Sequence, residues 1–88
     1  MEIKTDTNWQ AIETTLEEII DMHRKSLLTL GRRIIPTLTP EDILQPNDYL
    51  ELDHHPEFRY EEGQLAGVQT AQMALRALKI RSQGQLAK

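Results

Sequence analysis

Residues 8–34 read NWQAIETTLEEIIDMHRKSLLTLGRRI, and the spacing of their apolar side chains decides the fold class. Trp9, Ile12, Leu16, Ile19, Ile20, Leu27, Leu30 and Ile34 fall within one stripe about 100° wide when placed on a helical wheel. The opposite side holds Glu17, Glu18, Asp21 and Lys25, and only Met22 and Leu28 break the pattern. Thr7 followed by Gln10 forms a capping box at the start. Gly31 offers a stop, and Pro36 sets a firm limit because the residue before a proline resists α geometry. The spacing predicts a long amphipathic helix over about 8–34.

A second helix is predicted over about 56–82. Pro56 suits the first helical position, His55 or Asp53 suits the cap before it, and Gly84 suits a C-terminal stop. Its pattern differs from that of the first helix. Gly63, Gly67, Thr70, Ala71, Ala74 and Ala77 form a ridge of small residues. Tyr60, Val68, Leu75 and Leu78 make one shoulder of that ridge, and Met73 and Ile80 make the other. Glu61, Gln69, Gln72, Arg76 and Lys79 occupy the far side, where Leu65 is the exception. The apolar arc is near 200° on the same wheel, broad enough to want two neighbours. Glycine inside a helix costs about 1 kcal/mol against alanine, so Gly63 and Gly67 point to close helix packing along the ridge.

Residues 35–55 connect the two, with an acidic, proline-containing composition. Thr39-Pro40-Glu41-Asp42 reads as cap, first-turn proline and acidic first turn, hence a short helix over about 40–45. Pro46-Asn47-Asp48 reads as a turn, with Tyr49, Leu50 and Leu52 tacking the connector onto the helices. Both long helices are acidic early and basic late, so an antiparallel pairing sets acid beside base at each end.

The 88 residues allow one domain, spanning 1–88 with a tail at 83–88, and contain no cysteine to staple it. A compact monomer of this size would bury roughly 64% of its unfolded surface, a thin core. With 39% hydrophobic and 27% charged residues the composition is that of a folded chain. A net charge of −4 argues against nucleic acid as a partner. No apolar run has the ~18–20 residues of a membrane span, and the N-terminus reads as no signal peptide, so the expected setting is cytoplasmic.

Few residues suggest chemistry. His23 lies near the centre of the first helix's stripe, where a buried imidazole must satisfy two nitrogens. A hydrogen-bonded core or interface histidine is the plain reading, and a metal ligand the sharper one. Asp53, His54, His55, Glu57 and Glu61 form the densest run of possible metal ligands, since zinc favours histidine with carboxylate. Adjacent histidines in extended chain point to opposite sides, however, and no His-x-x-x-His spacing supports them. Glu17, Glu18 and Asp21 lie opposite the apolar stripe, facing water rather than converging on a cleft as a magnesium site requires. No nucleophile elbow or phosphate-cradling loop is present.

These readings combine into one expectation. The chain is all-α, an antiparallel helical hairpin with a short helix in the connector, doubled into a four-helix homodimer. The expected function is a non-catalytic protein-interaction module without a cofactor, open to a further protein partner. Its interface would run along Gly63, Gly67, Thr70, Ala71, Ala74, Leu75 and Leu78. The alternative is a small metal-dependent hydrolase or metal-binding bundle using His23 or the Asp53–Glu61 run.

Overall fold

Two helices carry most of the chain in the computed structural model, which describes residues 8–86. Helix α1 spans Trp9–Ile34. Its cap is Asn8, whose side-chain oxygen accepts from the Ala11 amide at 3.0 Å; Thr7 lies outside the described residues. The helix ends at extended Ile35, whose amide donates to the Gly31 carbonyl at 2.7 Å, one residue before Pro36. Gly31 therefore sits inside the helix rather than stopping it.

After the short helix α2, Leu50–Asp53, the second long helix α3 covers Pro56–Leu86. His55 caps it through its side chain, with Phe58 N donating to His55 Nδ1 at 3.4 Å. The helix continues through Gly84, past the stop expected near residue 82. A single glycine costs about 1 kcal/mol against alanine, and the glutamines on either side are good helix formers. Three cross-links give the pairing sense. Lys79 Nζ lies 3.0 Å from Glu13, Gln72 donates to Glu17 at 2.7 Å, and His23 lies 3.8 Å from Glu61. As the α1 number rises the α3 number falls, so the helices are antiparallel. Among the described residues there is no strand.

The connector folds into three short pieces where one helix and a turn were expected. Thr39 N donates to Asp42 Oδ2 at 2.9 Å and Asp42 N to Thr39 Oγ1 at 3.3 Å, a reciprocal capping box. It opens a 3-10 helix at Asp42–Leu44, which Pro46 cuts short. A second 3-10 helix, Pro46–Asp48, replaces the turn, and α2 follows. Helical geometry also corrects the docking residues. Leu50 and Leu52 lie about 200° apart around a helix. Leu52 is fully buried and Leu50 is 67% exposed.

The core sits at the connector end. Leu27 and Leu30 of α1, Leu38, Ile43 and Leu52 of the connector, and Phe58 of α3 form one buried cluster. Arg32 Nε ties the connector down by donating to the Leu38 carbonyl at 2.8 Å. Gly31 permits this closure, because a Cβ there would stand 2.5 Å from Leu38 Cδ2 and 3.4 Å from Phe58. The small residue that close packing requires is thus Gly31. Around Gly63 and Gly67 an added Cβ would meet nothing within 4 Å.

The face that α3 turns to α1 is also the reverse of the expected one. Phe58, Leu65, Val68, Gln72, Leu75 and Lys79 are buried or half-buried, and after Leu65 they recur in alternating steps of three and four. The ridge of Gly63, Gly67, Thr70, Ala71, Ala74 and Ala77 is exposed. The buried face is centred on the side expected to be polar, where Leu65, Gln72 and Lys79 stand with Val68 and Leu75 from one shoulder, because burial favours phenylalanine, leucine and valine over glycine and alanine. Gln72 and Lys79 fit that face by laying their stems along it and placing their heads on Glu17 and Glu13.

Candidate interaction surface

Two features of the hairpin surface depart from an ordinary solvated exterior. The first is the outer face of α3. Between Glu62 and Arg76 this helix carries no charged residue. Gly63, Gly67, Thr70, Ala71 and Ala74 lie open to solvent there, flanked by Met73 at 61% and Leu78 at 41% exposure. Leu75, named with them from the sequence, is half-buried and instead faces Ile12 and Leu16 of α1.

The second is an open groove of about 670 Å³ along one side of the hairpin at its connector end. Met22, Lys25, Ser26, Thr29 and Arg33 form the α1 wall, Pro56, Glu57, Tyr60 and Glu61 the α3 wall, and Leu30 also lines it. No connector residue lines this groove. Leu44, Gln45 and Pro46 instead lie with Arg59 and Glu62, on the other side of α3. The groove's bases stand on α1 and its acids on α3. Lys25, Arg33 and Glu57 take part in no ion pair among the described residues. The sequence hint of this groove was Met22, the apolar residue out of place on the polar side of α1 and 56% exposed in the fold.

The possible metal ligands are spread over separate tasks. His23, half-buried at the helix seam, faces the Glu61 carboxylate. Asp53 accepts from Arg59 at 3.1 Å, and Arg59 also pairs with Glu62 at 3.2 Å. His55 spends its Nδ1 on the α3 cap, while His54 and Glu57 are exposed. Among the described residues no three histidine or carboxylate groups come together in a way that could hold a metal ion. The fold brings His23 to Glu61 and leaves the other candidates apart from them.

The connector holds the two groups with displaced acidities. The Thr39 amide and then its hydroxyl hold the Asp42 carboxyl below the usual carboxylate value. Burial first, and then the Asp42 charge, push the Tyr49 phenol above its ordinary value. Both belong to the capping box and the packing beneath it, not to a cleft. The chain matches no protein-family model, no curated protein and no solved structure.

Proposed function

We propose that the protein is a non-catalytic helical interaction module that works as a homodimer in the cytoplasm, two hairpins forming a four-helix bundle. The observation that carries this reading is the uncharged stretch of α3 between Glu62 and Arg76, presented outward with Gly67, Ala71 and Ala74 exposed and Leu78 open just beyond it. A long solvated helix normally sets charge on its outer face, and an apolar surface patch of this kind marks contact with another macromolecule. The proportions of the chain support the same reading. Its extents are 52 × 22 × 18 Å and its radius of gyration is 17.3 Å, against about 12 Å for a compact chain of this length. No described helix is long and apolar enough to cross a membrane.

Sedimentation equilibrium tests the proposal directly. The expected result at micromolar concentration is twice the chain mass of 10.2 kDa. A single 10.2 kDa species over that whole range, with cooperative unfolding, would refute it.

A further inference from the structure

We infer that the second copy docks on the groove side of the hairpin, with the two-fold axis along the bundle. In this arrangement α1 of each chain lies antiparallel against α3 of the other. Lys25 and Arg33 of one chain then face Glu57 of the partner subunit at both seams. This inference rests on the self-association proposed above and adds its surface, its symmetry and its ion pairs.

Coverage selects the side. The connector lies against the Arg59 and Glu62 side of α3, leaving the groove side bare with Tyr60 68% and Met22 56% exposed. At heptad steps Glu57 continues into Gln64, Ala71 and Leu78, so the groove wall runs on down α3 into the uncharged face. One continuous surface results. The accessible surface of 6682 Å² exceeds that of a compact monomer of this mass by about 1,400 Å², and a standard interface takes about 800 Å² from each partner.

Charge selects the symmetry. A two-fold axis along the bundle returns each level of the hairpin to the same level with the two walls exchanged, so the basic wall meets the acidic one. A two-fold axis across the bundle would lay α1 on its own copy instead. At heptad steps Arg33 shares its column with Ser26, Ile19 and Ile12, and Glu57 shares its column with Gln64, Ala71 and Leu78. Lys25 shares its column with Glu18 and would keep a partner there, but the columns of Arg33 and Glu57 carry no opposite charge, so these two would lose water against neutral residues. Buried charge without a partner is costly, and the crosswise arrangement is disfavoured on that ground.

A charge exchange in the full chain tests this. Lys25→Glu with Arg33→Glu gives one variant, and Glu57→Lys gives the other; Glu61 is left alone because it faces His23. Each variant alone should dissociate about tenfold more readily than the wild type, and an equimolar mixture should recover most of the lost affinity. A wild-type dimer whose variants show no such recovery overturns the docking inference while self-association stands. A wild-type monomer overturns both. A nitroxide at Thr37→Cys, exposed at the connector end, gives a second measurement that needs no interface change. The expected distance between labels is well under the 52 Å length of the molecule, and one near that length would mean the crosswise dimer.

Discussion

The two ends of the hairpin are built differently. At the connector end, Leu38, Leu52 and Phe58 are at most 1% exposed, and chain from α1, the connector and α3 closes around them. At the open end, Trp9, Ile12 and Leu16 are only half-buried, and they face Gln72, Leu75 and Lys79. The cross-links there are Gln72 to Glu17 and Lys79 to Glu13, surface pairs of a kind worth about 0–1 kcal/mol each. Two helices alone enclose little interior; a third layer is what turns a helix pair into a core. The connector supplies that layer at one end, and in the proposed dimer the second copy supplies it at the other.

The largest expected effect separates the ends. Phe58→Ala should destabilise by about 3–5 kcal/mol in urea unfolding, the usual cost of emptying a buried aromatic site. Leu16→Ala in a monomer should cost well under the ~2–5 kcal/mol of a buried leucine, because the side chain is half in water. If the open end is buried by a partner, the Leu16→Ala loss should grow with protein concentration. Equal losses at both positions at low concentration would break the comparison.

The next effect concerns glycine. Gly31→Ala places a methyl against Leu38 and Phe58, and should destabilise by about 1–3 kcal/mol as overpacking does. Gly63→Ala meets open space, and should stabilise by about 0.5–1 kcal/mol through helix propensity. Thermal melts of the two variants should therefore move in opposite directions. A fall in both at concentrations where the chain is monomeric would mean that Gly63 faces a close neighbour within the hairpin itself.

The same contrast explains what the sequence made legible. The single apolar stripe of α1 marked its packed face, because an arc near 100° permits only one, and the acid-early, base-late charges of both long helices pointed to the antiparallel pairing. Thr39 announced a cap and Pro56 the start of α3, while the reciprocal bond from Asp42 back to Thr39 came from the structure. On α3 the packed face was misread, because polar Gln72 and Lys79 beside Leu65 made it look like the solvated side. Leu38, Ile43 and Phe58 are isolated apolar residues whose meeting depends on how the connector folds, so no local period marks them. Gly31 read as a stop because its real constraint, Leu38, comes from beyond the helix. Of the surface proposed for docking, Ala71, Ala74 and Leu78 stand out in the sequence as small or apolar positions. The groove required the three-dimensional path of the connector.

The smallest effect lies in the connector's own anchor, and it asks whether the third layer depends on its capping box. Asp42 accepts the Thr39 amide as a carboxylate, which lowers its pKa in the folded state relative to the unfolded chain. A lowered folded value means that the unfolded state binds more protons as the pH falls. The stabilisation is therefore complete above the unfolded value near 3.9 and is lost as the pH drops through the folded one. Asp42→Asn keeps the shape but removes the titration, so its stability should change less than the wild type's between about pH 5 and pH 2. Thr39→Val should flatten the same slope from the other partner, since the hydroxyl bond contributes after the amide. Urea midpoints measured across that window give the comparison. Parallel slopes for all three chains would show that the box carries none of the acid sensitivity, and would leave the Leu38, Ile43 and Leu52 packing and the Arg32 bond to hold the connector.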